Sequence, residues 1–270
     1  MVTHTVEGGG GVSIHVDERG RGRPVLFVHG LSQSAMCWRK QFESTLVEDH
    51  RLVAMDCRGH GESEKPRDAY GDPDLWADDV RAVIETLDLT DVVLVGWSYG
   101  GLVALDYVEA YGTGRLAGLG LVSAIAAIGT EAATDLLGPA YLDLLPGFVS
   151  TDAEESVETM RAFVDLCVHD DLSPADRYYM LGYNVVVPPY VRAGLRDRTV
   201  THEAELDRLD VPVLVIHGAE DAVVDPEAAD RHAGLVDDAD LSVYPETGHT
   251  PFWERPDRFN RELRAFVREC

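Results

Sequence analysis

Short runs of strongly apolar residues recur along the chain, and several are followed by longer stretches with helical spacing. Residues 25–28 (Val-Leu-Phe-Val), 92–95 (Val-Val-Leu-Val) and 213–216 (Val-Leu-Val-Ile) are continuous apolar blocks, short enough for strands covered on both faces. Residues 51–55, 119–122 and 241–244 read as further strands, and 12–16 alternates like an edge strand after the glycine turn at 8–11. Between them, 74–88 and 100–111 carry amphipathic or apolar helical spacing, and 256–268 reads as a C-terminal helix. Alternation of this kind builds a mostly parallel sheet with helices on its faces, an α/β fold.

The pattern breaks between 129 and 200. No buried strand is visible there, only helix-like stretches punctuated by Pro139, Pro146, Pro174, Pro188 and Pro189, with acids mixed among tyrosines and phenylalanines. The organisation expected is therefore a core of residues 1–128 and 201–270, with a helical insertion at 129–200 after the sixth strand. The insertion is long enough to cover a site as a lid; extra surface helices are the alternative.

The strongest chemical signal is Gly96-Trp97-Ser98-Tyr99-Gly100, directly after the strand at 92–95 and before a helix. In that context the serine sits on a sharp strand-to-helix turn, its hydroxyl raised above the sheet edge at the positive end of a helix. A hydroxyl needs a neighbouring base to take its proton. Of the ten histidines, His249 lies in a loop after the last strand and before the final helix, where imidazole can accept that proton and return it. Asp221, at the end of the strand 213–216, is the carboxylate expected to orient the imidazole, with Glu220 and Asp225 as rivals. An oxyanion would need two backbone donors, expected from Tyr99 and from Leu31 after His29-Gly30. The side chains of Leu31, Trp38, Trp97 and Tyr99 are expected to line an apolar acyl pocket. No HExxH is present, and no GxGxxG opens a helix after the first strand, so neither metal nor cofactor is expected.

These segments, with Asp56-Cys57-Arg58-Gly59-His60-Gly61-Glu62-Ser63, Gly218-Ala219-Glu220-Asp221 and Gly248-His249 followed by Glu254 and Pro256, resemble the α/β-hydrolase superfamily, in its order of nucleophile, acid, then histidine. The resemblance implies an eight-stranded, mostly parallel sheet, and a structural more than catalytic role for residues 56–63. Within the superfamily the chain is similar to small carboxylesterases and to the cofactor-free haloperoxidase or perhydrolase group. Dehalogenases and epoxide hydrolases of this fold place Asp where Ser98 stands, which argues against those reactions. Perhydrolases often carry a proline shortly after the His-Gly pair, absent here. The single glycine of His29-Gly30 resembles enzymes preferring less bulky alcohols. The activity expected is carboxylic-ester hydrolysis through an acyl-serine, on a small-molecule ester. Perhydrolysis, lactone opening and carbon–carbon hydrolysis are open to the same three residues. A small-molecule receptor built on this fold is the reading from another class.

Charge adds a separate expectation. With 48 Asp and Glu against 23 Lys and Arg, the formal net charge is −25, and Lys40 and Lys65 are the only lysines. Such a surface repels phosphate backbones and anionic lipid, so nucleic-acid and membrane partners are not expected; a homo-oligomer is left open. Four cysteines without CxxC spacing read as reduced thiols, and the first residues lack a basic-then-apolar leader, so a cytoplasmic location is expected. The scattered carboxylates point to a halophilic source, where they keep a protein hydrated in concentrated salt; an acidic mesophilic protein is the alternative. On the halophilic reading the melting temperature rises by several degrees from dilute to multimolar KCl. A melting curve indifferent to salt overturns that reading.

Overall fold

In the computed structural model, which describes residues 1–270, ten strands form: β1 (Val2–Glu7), β2 (Ser13–Gly20), β3 (Arg23–Val28), β4 (His50–Met55), β5 (Val92–Trp97), β6 (Leu116–Val122), β7 (Ala127–Ile128), β8 (Val200–Thr201), β9 (Val213–Gly218) and β10 (Ala239–Tyr244). Eight of them make one sheet in the order β1-β2-β4-β3-β5-β6-β9-β10. From β4 to β10 all pairings are parallel, while β1 with β2 and β2 with β4 are antiparallel. All six residues of β5 and of β9 are buried, as their unbroken apolar runs require in a sheet covered on both faces.

The helices of eight or more residues are α1 (Pro73–Thr86), α2 (Tyr99–Tyr111), α3 (Pro139–Phe148), α4 (Ala153–Leu166), α5 (Pro174–Val185), α6 (Pro189–Arg196), α7 (Glu227–Leu235) and α8 (Pro256–Glu269). The three helices expected from spacing correspond to α1, α2 and α8. Proline punctuation in the insertion turns out to mark helix starts: Pro139, Pro174 and Pro189 each open a helix, where the missing N–H costs nothing. Asp152 and Ser173 cap α4 and α5 by accepting the Glu155 and Asp176 amides. The helices α3–α6 lie between the short antiparallel ribbon strands β7 and β8 and follow the sixth strand.

One expectation is corrected at the sheet edge. Residues 13–16 belong to β2, which is the second strand; the edge is β1. β1 escapes a hydrophobicity reading because only Val6 of its six residues is buried. It forms through backbone pairing with β2 and polar cross-strand contacts, Thr3 Oγ1 to Asp17 at 2.9 Å and His4 Nε2 to Glu18 at 2.8 Å.

Two buried ion networks fix the parts around the sheet's carboxyl edge. Arg58, fully buried, grips Asp79 of α1 with two bonds of 2.7 and 2.8 Å and donates to the Gly9 carbonyl, tying residues 56–63 to α1 and the glycine turn. Arg198 donates to both oxygens of Asp106 in α2, and His202 meets the same carboxylate at 2.9 Å, so the chain leaving the insertion is anchored to the helix that starts at the serine. The four cysteines are unpaired. No helix is long and apolar enough to cross a membrane.

Several histidines are buried in the neutral form. Burial lowers the pKa of His29, His50 and His60, and burial with the nearby His217 and Arg231 lowers that of His232 to about 4. An unfolded chain binds protons at these rings near pH 6.5 while the folded chain does not, so their contribution is fully present above that pH and is lost below it. Stability to urea is expected to fall as pH drops from 6.5 toward 4, with His232 alone worth about 3 kcal/mol at the lower end. Equilibrium unfolding at a series of pH values checks this; a flat profile across that window contradicts it.

Candidate active site

The bend between β5 and α2 is built by the two glycines flanking Ser98. A Cβ on Gly96 would lie 2.4 Å from the Gly100 carbonyl oxygen, and one on Gly100 would lie 2.3 Å from the Val28 carbonyl oxygen. Neither position tolerates a side chain. Between them Ser98 adopts φ 54° and ψ −119°, a strained conformation for a residue with a Cβ. Three backbone bonds hold it there: its N–H to the Val122 carbonyl, and its carbonyl to the Gly101 and Ile125 amides. The hydroxyl is thereby presented half-buried at the N-terminus of α2.

Gly30 comes close from the other side; a Cβ there would sit 3.1 Å from the Ser98 Cβ and 3.5 Å from its Oγ. The Leu31 N–H makes no hydrogen bond within the protein, and Tyr99, the first residue of α2, has no intrahelical acceptor for its own. Two neutral histidines hold the loop carrying Leu31. His29 Nε2 accepts the Cys57 amide at 2.9 Å while its Nδ1 donates to the Gly30 carbonyl, and His60 Nε2 accepts the Ser32 amide at 3.1 Å while its Nδ1 donates to the Arg58 carbonyl. Asp56 accepts the Ala35 and Glu62 amides. The segment 56–63 is a brace for this loop. On its far side, Ser32 donates to the Asn184 carbonyl of α5, and the Gln33 and Asn184 amides exchange two hydrogen bonds.

Asp221 and His249 meet. His249 Nδ1 lies 2.7 Å from Asp221 Oδ2, and both residues are buried. The approach depends on Gly218 at the end of β9, where a Cβ would lie 2.0 Å from the Gly248 carbonyl oxygen. The rivals Glu220 and Asp225 are exposed. Asp221 Oδ1 accepts the Val223 and Val224 amides, and His217 Nε2 sits 3.1 Å from Oδ2. Burial by itself would raise this carboxyl, but the facing His249 charge and hydrogen bonds from His217 and His249 hold it well below the usual carboxylate range. His249 Nε2 is buried and has no hydrogen-bond partner, Ser98 included. Trp97, next to the serine, donates its indole N–H to the His249 carbonyl at 2.8 Å, joining the histidine loop to the bend. Glu254 accepts from Gly248 N and Thr250 Oγ1 on that loop and from His169 N in the insertion.

A cavity of about 160 Å³ opens against Ser98, Leu31 and Tyr99. Fourteen of its nineteen lining residues are hydrophobic, and eleven come from residues 129–196, among them Leu137, Tyr141, Leu145 and Phe148. Of the expected pocket residues, Leu31 and Tyr99 are therefore in place. Trp38 and Trp97 are not. Trp38 is fully buried in the core against Phe27 and Phe252, and Trp97 serves as the anchor of the histidine loop. Trp38 closes a short 3-10 turn and Trp97 ends β5, and both side chains are buried in the packing.

The alpha/beta hydrolase family matches this chain over residues 25–262. The chain belongs to the alpha/beta hydrolase family. Among solved α/β-hydrolase structures it is similar to an esterase from Rhodococcus sp. ECU1013, at 38% identity and TM-score 0.93, covering 99% of this chain and 98% of that one. Among characterised α/β-hydrolase relatives it is 32% identical to a non-heme chloroperoxidase of Kitasatospora aureofaciens, over 95% of this chain and 96% of the relative. It is also 32% identical to a bifunctional esterase/perhydrolase of Acinetobacter calcoaceticus, over 96% and 97% respectively.

His217, at the end of β9, is a further member of the site in this hydrolase: its Nε2 hydrogen-bonds the Val224 carbonyl at 3.1 Å and lies 3.1 Å from Asp221 Oδ2. No spacing rule marks such a residue; only the return of the 221–224 turn onto β9 brings it into range. The bend itself yields a test. Gly96→Ala and Gly100→Ala are each expected to cost about 3 kcal/mol or more in urea unfolding, since the clashing atoms are backbone oxygens. Gly114→Ala, where a Cβ would meet nothing within 4 Å, is expected to change stability by less than about 0.5 kcal/mol. Equal effects at the three positions contradict the account of the bend.

Proposed function

We propose that the protein is a serine hydrolase that cleaves carboxylic esters through an acyl-serine intermediate. The observation that carries the reading is the buried Asp221–His249 pair, its outer nitrogen unpartnered, tied through Trp97 to a serine on a strained bend. Ser98 Oγ attacks the ester carbonyl carbon, and its proton passes to His249 Nε2. The developing oxyanion is met by the Leu31 and Tyr99 N–H groups. As the bond to the alcohol oxygen breaks, His249 returns the proton to the leaving group. Water then gives a proton to His249 and its oxygen to the acyl carbon, releasing the acid and restoring Ser98. Asp221 keeps the imidazole in the tautomer with a free Nε2 and stabilises its cation. His217 and the Val223 and Val224 amides keep that carboxylate ionised and aimed. The helices of residues 129–200 act as the lid that shapes the substrate pocket.

The named activities of the relatives favour one companion reaction. Hydrogen peroxide attacking the acyl-serine in place of water releases a peracid, which oxidises halide. Names combining esterase with perhydrolase support treating the two as outcomes of one intermediate.

Hydrolysis of a short-chain p-nitrophenyl ester tests the reading. Ser98→Ala is expected to lower kcat by on the order of 10³-fold or more, because only binding and the two backbone donors remain. Bromination of monochlorodimedone with bromide, peroxide and acetate should vanish in the same variant if the companion reaction operates. Ester turnover near that of the parent protein would overturn the assignment of Ser98.

A further inference from the structure

The cavity against Ser98 has an unexpected charge. The chain carries 48 acidic residues, yet none lines this cavity, whereas two arginines do, Arg192 and Arg196. Arg196 is half exposed and lies 3.6 Å from Asp197. Arg192 is different: it is 2% exposed, and no carboxylate is paired with it. Its Nη2 donates to the Val187 carbonyl at 2.8 Å and to Ser156 Oγ at 3.2 Å, while Nε and Nη1 are buried with no acceptor. Burial alone pushes its pKa down, to about 10, so it remains charged at neutral pH. A buried guanidinium with three idle N–H bonds, one on Nε and two on Nη1, is costly to keep, and the cost is met when a planar oxyanion docks on its fork. The other buried arginines follow the rule that Arg192 breaks: Arg58 grips Asp79 and Arg198 grips Asp106.

The cavity also has a side. Ser98, Leu31 and Tyr99 border it, but His249 and Asp221 do not. The leaving alcohol must lie where His249 can protonate it, so the group reaching into the cavity is the acyl chain that stays bonded to Ser98. We propose that Arg192 is a specificity-determining residue and that the preferred substrates are esters whose acyl chain bears a second carboxylate, half-esters of dicarboxylic acids. The proposal rests on the serine-hydrolase reading above. The apolar walls hold the methylene chain, and Arg192 takes the distal carboxylate.

The experiment compares monomethyl esters of the C4 to C6 straight-chain diacids with the neutral methyl esters of matching chain length, followed by pH-stat titration. Wild type is expected to favour one half-ester over its neutral partner by roughly 10- to 100-fold in kcat/KM, the range set by a charged hydrogen-bonded pair. Arg192→Gln should bring the ratio of half-ester to neutral-ester kcat/KM to about one, and Arg192→Lys should keep part of the preference. An equal loss on both series in Arg192→Gln, or no preference in wild type, overturns the proposal and leaves the hydrolase reading standing. If the arginine variants fail to fold, competition in wild type decides: glutarate must inhibit neutral-ester hydrolysis far better than butyrate. If no ester is turned over, the hydrolase reading fails by itself, and thermal stabilisation of the protein by glutarate but not by butyrate still separates a carboxylate site at Arg192 from none.

Discussion

The arrangement hangs on a steric constraint at the carboxyl end of β5. For Ser98 to sit at φ 54° and ψ −119°, the strand and the helix α2 must close on one another until Gly96 and Gly100 touch backbone on both sides. That closeness has consequences in each direction. It exposes the N-terminus of α2, frees the Tyr99 N–H, and leaves space for Gly30 to slide its backbone against the serine. The strain is held by the Val122, Gly101 and Ile125 backbone bonds and by α2's own anchoring through Asp106 to Arg198 and His202. Local distortion at the reactive residue is thus offset by order in the layers below.

Much of the frame was legible in the sequence because its signals are local. β5 and β9 are uninterrupted apolar runs, and the bend needs glycines at fixed positions around one serine. Asp221 could be preferred over Glu220 and Asp225 by its place at a strand end, and in the structure it alone of the three is buried. What was not legible depends on faces and on distant partners. β1 has one buried residue and no pattern to betray it. Trp38 and Trp97 lie close to the site along the chain, but a short helical turn at 35–38 packs the first into the core, and the second, at the end of β5, is buried too. His217 and Arg192 carry no motif at all: the first matters because a turn folds back on its strand, and the second because no acid came near it.

Charge divides the molecule into two regimes. The outer surface holds most of the 48 acids, where water solvates them at little cost. The interior near Ser98 holds one ionised acid of the site, Asp221, together with a guanidinium and with neutral histidines whose protonation burial suppresses. His29 and His60 accept backbone amides only while neutral, so the loop that presents Leu31 shares its pH range with the stability of the fold. Acid therefore acts on the shape of the site as well as on its ionisation.

The insertion is fastened to the core partly through its main chain, His169 N to Glu254, the Cys167 carbonyl to Thr250 and the Asn184 carbonyl to Ser32, and partly through side chains that do not line the cavity, among them Tyr179, Asn184, Tyr190 and Arg198. Its inward side chains, meanwhile, form most of the cavity wall. Attachment and lining draw on different atoms of the same helices. A lineage carrying this scaffold can therefore exchange the lining residues one at a time, and diversify what it accepts, without renegotiating how Ser98, His249 and Asp221 are set.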